Sequence, residues 1–219
     1  MKLFIDSANL EEIKTAMSWG IIDGCTTNPT LAAKNGVTDF LPIAQQILKL
    51  VQGPVSLEVV ATDYDGMMRE GNKLAKLAPH VVVKLPITTD GLKACRDLTK
   101  KKIKVNMTLC FSALQALLVA KMGAAYVSPF VGRLDDIGDH GNDMVEETIA
   151  IYANYRFTTQ VLFASVRSPL HVKQAALMGA DIATCPFNVL DKLVKHPLTD
   201  KGLDTFLSDW KKSGLKPLV

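Results

Sequence analysis

The stretch HVVVKLPITTDG, residues 80–91, places a lysine in the middle of an apolar run. Three valines precede Lys84, and Leu85, Pro86 and Ile87 follow it. An unbroken run of β-branched residues is typical of a strand that is covered on both faces, as in a parallel sheet. An unpaired ammonium group in such a strand costs several kcal/mol. The stretch therefore predicts a buried parallel strand whose lysine either has a partner or has lost its proton.

Similar short apolar runs recur along the whole chain and alternate with amphipathic helical patterns. Eight units of strand plus helix, at a spacing of about 27 residues, predict an α/β fold of the (β/α)8 TIM barrel type with extra C-terminal helices. The alternative is an open doubly wound sheet, but no G-x-G-x-x-G motif follows the first run. The eight predicted strands are KLFID (2–6), IIDGC (21–25), PVSLEVVA (54–61), HVVVKLP (80–86), IKVNMTL (103–109), AAYVSP (124–129), TQVLFASV (159–166) and DIATCP (181–186).

Helix boundaries between these runs are marked by capping residues. Asn9 predicts the start of the first helix, and Gly20 its end. Ser168 followed by Pro169 predicts an N-cap and first helical residue, with the end of that helix near Gly179. These signals fall where a barrel needs its connections.

The domain organisation is expected to be simple. No linker, low-complexity segment or charge block divides the chain, so residues 1–219 are expected to form a single barrel domain, with 188–219 as a helical tail. The tail is predicted to hold two helices, separated by KHPLTDKG (195–202), with Thr199 as the cap of the second.

Composition excludes several classes of function. The net charge of +3 is too small to indicate binding to nucleic acid or to a membrane surface. The four cysteines lie far apart, without a C-x-x-C pair or a zinc-ligand spacing. No signal-peptide pattern and no apolar run of membrane-spanning length is present. A reduced cytoplasmic protein is expected.

Polar residues stand at the carboxyl ends of nearly all the predicted strands, where barrel enzymes place their active sites. Taken alone, each has an ordinary structural explanation, such as a turn for Asn28 before Pro29, or a surface ion pair for Arg133. Independent explanations at so many strand ends are much less probable together. The residues are Asp6, Thr26, Thr27, Asn28, Glu58, Lys84, Asn106, Thr108, Ser128, Arg133, Ser165 and Arg167.

Two of these residues, Glu58 and Lys84, lie inside their strands. If both point to the barrel axis, they are close together and accessible only from one end. Desolvation favours the neutral form of a lysine, and a neutral amine can attack a carbonyl group to form a Schiff base. The alternative is a buried Lys–Glu pair with a structural role only.

Arg133 and Arg167 follow neighbouring strands, and Arg167 stands just before the predicted helix start at Ser168. A helix N-terminus and arginine side chains together suit a phosphate group. The residues thus favour a Schiff-base enzyme that acts on a phosphorylated carbonyl compound. A metal-dependent aldolase or epimerase needs clustered histidines at strand ends, which the sequence lacks, and a sugar-phosphate binding protein has no use for Lys84 or Glu58.

At this point the sequence resembles the transaldolase family, in the small-subunit branch that also contains fructose-6-phosphate aldolase. The resemblance implies a (β/α)8 barrel that transfers a dihydroxyacetone unit from sedoheptulose 7-phosphate to glyceraldehyde 3-phosphate, in the non-oxidative pentose phosphate pathway. It implies sugar phosphates as ligands, no cofactor and no metal, and a homo-oligomer of five or ten chains, for which the tail 199–214 is a candidate contact with a neighbour. The matching motifs are FIDSAN (4–9), GCTTNPTL (24–31), SLEV (56–59), VVKLPIT (82–88), NMTLCFS (106–112), YVSPFVGRLDDIG (126–138), ASVRSP (164–169) and KHPLTDKG (195–202).

By resemblance, Lys84 attacks the ketose, Asp6 is the base for carbon–carbon cleavage, and Glu58 acts through a water with Thr108. Phe130 and Glu58 stand where the fructose-6-phosphate aldolases carry Tyr and Gln, which favours transfer over release of free dihydroxyacetone. The residues implied to hold the dihydroxyacetone hydroxyls are Asn28, Asn106 and Ser128, and those implied to bind phosphate are Arg133, Ser165 and Arg167.

Overall fold

The computed structural model describes residues 1–34 and 39–216 of the chain. Eight parallel strands pair in chain order and close into a barrel, because the first strand pairs with both the second and the eighth. The predicted (β/α)8 fold is therefore confirmed. The strands are β1 (Lys2–Asp6), β2 (Gly24–Thr26), β3 (Val55–Glu58), β4 (Val81–Pro86), β5 (Val105–Cys110), β6 (Tyr126–Pro129), β7 (Gln160–Phe163) and β8 (Ile182–Cys185).

Helices surround the barrel and connect its strands. Two short ones, α2 (Pro29–Lys34) and α7 (Val131–Asp135), directly follow the polar carboxyl ends of β2 and β6. The helices are α1 (Leu10–Ser18), α2 (Pro29–Lys34), α3 (Phe40–Leu50), α4 (Tyr64–Ala75), α5 (Thr89–Lys100), α6 (Ala113–Lys121), α7 (Val131–Asp135), α8 (Gly141–Tyr155), α9 (Pro169–Met178), α10 (Phe187–Leu193) and α11 (Pro197–Ser213). Within residues 1–34 and 39–216, no helix combines the length and the apolar character needed to cross a membrane.

The alternation of side chains along β4 explains how a lysine comes to lie inside the barrel. Val81, Val83 and Leu85 face outward and pack in the layer between strands and helices. Val82 faces the axis and joins a separate apolar cluster inside the barrel. Since side chains two residues apart share a face of a strand, Lys84 also faces the axis.

The same two-residue step recurs on β1, β6 and β8. An apolar residue fills the barrel interior, and the next inward residue toward the carboxyl end of its strand is polar. The closed end is packed by large rings, such as Phe4 against Tyr126 with centroids 6.3 Å apart. The interior is thus filled by apolar side chains toward one end of the barrel and lined by polar side chains toward the other. The pairs are Phe4 and Asp6, Val82 and Lys84, Tyr126 and Ser128, and Ile182 and Thr184.

Seven of the eight strands differ from their predicted bounds by one to three residues, and the largest difference at a strand start is at β2. The second strand was predicted at 21–25, but β2 begins only at Gly24. Asp23 ends the preceding turn, since its carboxylate accepts a hydrogen bond from the Leu3 backbone N–H at 2.8 Å. Ile21 is half exposed in that turn, so its apolar character reflects surface packing and not a strand.

The predicted capping residues mostly occupy the expected positions. The Asn9 side chain caps α1, and Ser168 caps α9, whose first residue is Pro169. Gly179 ends α9 in the left-handed conformation, at φ 82°. Gly20, at φ 72°, follows α1 in the same way.

The cap that was predicted for the last helix is wrong. Thr199 lies within the first turn of α11, which begins two residues earlier at Pro197. His196 is the cap, because its Nδ1 accepts a hydrogen bond from the Leu198 backbone N–H at 3.1 Å. Proline in the first helical position then fixes the backbone angle that a helix needs.

The two helices of the expected tail are present. The first begins at Phe187, one residue before the predicted boundary, and α11 buries none of its residues against the barrel. Residues 217–219, the end of the expected tail, lie outside the described residues.

Candidate active site

A buried ion pair lies at the bottom of the open end of the barrel. Glu58 and Lys84 are register partners on β3 and β4, and both face the axis. Their Oε2 and Nζ atoms are 2.9 Å apart. The ammonium group also donates to the backbone carbonyl of Thr27 at 3.1 Å. Two acceptors thus compensate for burial of Lys84, whose side chain is 5% exposed.

A carboxyl group, Asp6, faces this pair from β1. Desolvation by burial raises the pKa of Asp6, while the Lys84 charge and a hydrogen bond from Thr26 act in the opposite direction. The Thr26 hydroxyl lies 2.6 Å from Oδ1 of Asp6 and also 2.6 Å from the Thr184 hydroxyl. A base with a raised pKa, next to a lysine, is suited to accept and return a proton.

Asn106, on β5, is the register partner of Lys84 on its other side. Its amide Nδ2 donates to the Ser56 hydroxyl at 3.1 Å, and its Oδ1 accepts from the Ser128 hydroxyl at 2.7 Å. These bonds fix which end of the amide faces each neighbour. The fully buried Thr108 hydroxyl has no hydrogen-bond partner in the described part of the chain. Such a group needs a partner, and a water or a substrate hydroxyl can serve as one.

The open end of the barrel forms a cavity of about 330 Å³. Glu58, Asn106 and Thr108 are not on its wall, but Glu58 contacts Lys84, and Asn106 contacts Ser128. The cavity size suits a small polar metabolite. Nine residues that were singled out from the sequence line it: Asp6, Thr26, Asn28, Lys84, Ser128, Phe130, Arg133, Ser165 and Arg167.

The rim of this cavity carries the two arginines. Arg133 does not form the surface ion pair that the sequence left open; its guanidinium carbon lies 4.9 Å from the centroid of the Phe130 ring. Arg167 instead pairs with Asp136, with Nη2 and Oδ2 2.8 Å apart. More than half of the Arg167 side chain is exposed, so an incoming anion can compete for it.

The backbone between β7 and α9 approaches α7 closely. A Cβ atom on Gly132 would lie 2.1 Å from the Ser165 carbonyl oxygen and 2.8 Å from Cγ of Arg167, so only glycine fits there. Ser165 adopts the left-handed conformation at φ 60°, which is uncommon for a residue other than glycine. Strain of this kind is characteristic of functional loops.

His171, in the first turn of α9, joins the two arginine-bearing segments. Its Nε2 lies 3.1 Å from Oδ2 of Asp135 in α7, and its Nδ1 accepts a hydrogen bond from the Arg167 backbone N–H at 3.3 Å. The side chain is 14% exposed, so this contact is largely shielded from solvent.

Sequence reasoning gave no role to several residues that contact the site. Thr26 was noted only as a polar strand end, and the Thr27 carbonyl, Ser56 and His171 carried no sequence signal. Thr184 could have been found, because it stands two residues after the inward-facing Ile182 of β8. In the described ranges 1–34 and 39–216, no group of three or more His, Cys, Asp or Glu side chains is arranged to hold a metal ion.

Comparison with known proteins finds matches over nearly the whole length of the chain. Residues 3–216 match the family model described as transaldolase/fructose-6-phosphate aldolase. A protein of Bartonella bacilliformis named "probable transaldolase" is 56% identical over 216 residues, which cover 99% of this chain and 99% of that one. A protein of Aquifex aeolicus with the same name is 57% identical over 217 residues, covering 99% of this chain and 100% of that one.

The barrel also resembles solved structures of distant sequence. A Coccidioides immitis crystal structure described as a fructose-1,6-biphosphate aldolase superimposes with a TM-score of 0.55 at 13% identity. The match covers 84% of this chain and 72% of the other, and it bears on the fold alone.

Proposed function

Because the chain belongs to the transaldolase/fructose-6-phosphate aldolase family, we propose that it is a transaldolase that works through a Schiff base on Lys84. In this proposal it transfers a dihydroxyacetone unit from sedoheptulose 7-phosphate to glyceraldehyde 3-phosphate, giving erythrose 4-phosphate and fructose 6-phosphate in the non-oxidative pentose phosphate pathway. The observation that carries the proposal is the Lys84–Glu58 pair at 2.9 Å, at the bottom of a cavity whose rim holds two arginines.

The first chemical step is formation of the imine. Glu58 takes a proton from the Lys84 ammonium group across their 2.9 Å contact, and the neutral amine attacks the ketose carbonyl. Glu58 then returns a proton, through a water held with the Thr108 hydroxyl, as the carbinolamine loses water. The Thr108 hydroxyl, which has no hydrogen-bond partner among the described residues, supports this assignment. The positive imine that results can accept an electron pair from the adjacent carbon–carbon bond.

The second step is cleavage of that bond. Asp6 takes the proton from the substrate hydroxyl, the carbon–carbon bond breaks, and its electron pair moves into the imine to give an enamine. The aldehyde product leaves, and the enamine attacks the aldehyde of the acceptor while Asp6 returns the proton. Hydrolysis of the new imine frees Lys84. The raised pKa of Asp6 supports its role, since the same group must both gain and lose a proton.

Binding of the sugar phosphate is assigned to the cavity wall and rim, and to Asn106, which contacts Ser128 of the wall. We assign the dihydroxyacetone hydroxyls to Asn28, Asn106 and Ser128, which are held by hydrogen bonds of their own. The phosphate is assigned to Arg133, Ser165 and Arg167, at the rim next to the N-terminus of α9.

The alternative within the family is a fructose-6-phosphate aldolase that releases free dihydroxyacetone. The observation that favours transfer is Phe130, which lines the cavity and offers no proton donor to the enamine. The four cysteines are buried free thiols, which suits a reducing cytoplasm as the location.

We assign a homo-oligomeric state as well, a pentamer or a decamer. The support is the outer surface of α11, where an apolar stripe of Leu203, Phe206, Leu207 and Trp210 is between 40% and 72% exposed. The spacing i, i+3, i+4, i+7 puts these side chains on one face of the helix. A second copy of the chain is the assigned partner of this face; no nucleic acid or membrane is expected.

Borohydride trapping tests the proposal. Incubation with fructose 6-phosphate and borohydride should add a reduced three-carbon unit to the peptide that contains Lys84, as measured by peptide mass mapping. Lys84→Met should abolish the label, and Lys104→Met, which removes an exposed lysine near the start of β5, should leave it unchanged. Label on another lysine, such as Lys121, with none on Lys84 would overturn the assignment.

A further inference from the structure

The hydroxyl groups of Thr26 and Thr184 form a chain that ends on Asp6. The Thr26 oxygen lies 2.6 Å from Oδ1 of Asp6 and 2.6 Å from the Thr184 oxygen. Each hydroxyl carries a single hydrogen, and an ionised carboxylate can only accept. Thr26 must therefore donate to Asp6, so the remaining contact can form only if Thr184 donates to Thr26. This count of hydrogens gives the direction of donation, from Thr184 to Thr26 and from Thr26 to Asp6.

The barrel topology creates this chain. Asp6 and Thr26 are register partners on β1 and β2, while Thr184 comes from β8, on the other side of β1. Thr184 is 3% exposed and lines the cavity. In the described part of the chain, the Thr26 hydroxyl is the sole hydrogen-bond partner of the Thr184 hydroxyl. Thr184 thus reaches the carboxylate only through Thr26.

We propose that Thr184 is a positioning residue for the general base: by donating to Thr26, it keeps the Thr26 hydrogen directed at Asp6 and so holds that carboxylate ionised and oriented. The inference rests on the proposed function in one respect, that Asp6 is the base of the reaction. A donated hydrogen bond favours the charged form of a carboxylate, and successive hydrogen bonds in a chain strengthen one another.

The charges around Asp6 show why such support matters. Lys84 favours the carboxylate while its nitrogen is charged, but in the proposed reaction this charge is absent in the neutral amine and again in the enamine. Glu58 opposes ionisation of Asp6, as does desolvation. The two hydroxyl groups carry no charge that changes during the reaction, so their contribution is constant at every step. Glu58 on β3 and Lys84 on β4 face Asp6 inside the barrel, while the thiols of Cys25 on β2 and Cys185 on β8 interact with it electrostatically from the outward faces of their strands.

The test is a double-mutant cycle on the titration of Asp6. In protein labelled with ¹³C at the aspartate carboxyl carbons, the Asp6 resonance is assigned with Asp6→Asn, and its pKa is measured without substrate. Thr26→Val should raise the pKa of Asp6 by on the order of one pH unit, because a hydrogen bond to a charged group is lost. Thr184→Val should raise the pKa by about 0.3 pH unit, since it removes only the strengthening along the chain.

Two further variants distinguish an effect of the hydroxyl chain from an effect of side-chain packing. Thr184→Ser keeps the hydroxyl and should restore the wild-type titration, and Thr26→Val/Thr184→Val should titrate like Thr26→Val alone. The low-pH limb of kcat/KM should move to higher pH in the same order, because the base is lost earlier as pH falls. Circular dichroism and thermal unfolding verify that each variant is folded.

The proposal is overturned if Thr184→Val leaves the titration of Asp6 unchanged, if its shift persists in full without Thr26, or if serine fails to restore it. These outcomes are separate from a failure of the proposed function. If Asp6 titrates as expected but borohydride traps no adduct on Lys84, the hydroxyl chain stands and the transaldolase assignment falls.

Discussion

At the scale of single residues, the key feature is that Lys84 is buried with two acceptors, Glu58 and the Thr27 carbonyl. The sequence predicted the first partner, because a charged residue inside each of two neighbouring strands indicates a pair. It could not predict the second, since a backbone carbonyl is present at every position and leaves no mark in the sequence. The same limit applies to Ser56, whose hydroxyl holds the Asn106 amide.

Phe130 provides the first prediction. Its ring lines the cavity and contacts Phe111, with centroids 5.9 Å apart. Phe130→Tyr adds a hydroxyl that can place a proton donor near the enamine. We expect more free dihydroxyacetone from fructose 6-phosphate without acceptor, and less transfer when an acceptor is present. The measurement is the ratio of acceptor-free cleavage to transfer.

The neighbouring ring supplies the control. Phe111→Tyr makes the same chemical change beside Phe130, but Phe111 is not on the cavity wall, so the ratio should stay at the wild-type value. If Phe130→Tyr also leaves the ratio unchanged, Phe130 only fills space, and the choice between transfer and release must depend on Glu58.

At the scale of elements, the strand pattern was largely visible in the sequence, because buried parallel strands form short β-branched runs. The start of β2 was not visible: Ile21 and Ile22 continue the apolar pattern, and only the hydrogen bond from Leu3 to Asp23 shows that the chain is still turning. The cap of α11 was also missed, because histidine is a less common N-cap residue than threonine, and the sequence therefore favoured Thr199 over His196.

The link between α7 and α9 gives the second prediction. His171→Ala removes the contact that joins Asp135 to the Arg167 backbone, so the two arginines lose their fixed separation. We expect KM for phosphorylated substrates to rise several-fold while kcat changes little. His171→Gln, which can still donate to Asp135, should lie between the wild type and alanine.

Two further variants provide reference values for the change in KM that His171→Ala causes. Arg167→Ala removes a charge-assisted contact worth ~1.5–3 kcal/mol and should raise KM for phosphorylated substrates by about 10- to 100-fold, with a much smaller effect for non-phosphorylated acceptors. Lys173→Ala removes an exposed charge from α9 and should leave KM unchanged. An equal loss for both substrate types in His171→Ala would show that His171 acts on folding and not on phosphate binding.

At the scale of the whole molecule, the count of eight strands was enough to predict a closed ring. The proposed assembly of several chains could not be derived from the residues alone, because an amphipathic helix has the same pattern whether it packs on its own barrel or on another. The structure leaves the apolar stripe of α11 exposed, with Phe206 at 72%.

This stripe gives the third prediction. Phe206→Glu places a charge in the middle of the stripe and should shift the protein to a smaller species, as measured by sedimentation velocity or light scattering. Ser208→Glu makes the same charge change on the opposite face of α11 and should leave the mass unchanged. A wild-type protein that sediments as a single chain would contradict the assigned oligomer.

The barrel can close only late in synthesis of the chain, because its first strand pairs with its last. The contact between Thr26 and Thr184 joins residues 158 positions apart, and β1 cannot complete its pairing until β8 exists. At a synthesis rate of about 5–20 residues per second, a ribosome needs roughly 8–30 s to cover that distance. During this interval the edge of β1 that later pairs with β8 is open, and unpaired strand edges of this kind can pair with other chains. The contact of Thr184 with Thr26 beside Asp6 forms only when β8 has joined β1. We therefore expect transaldolase activity to appear only after the ring has closed, so the time at which activity appears during translation would report when the fold is complete.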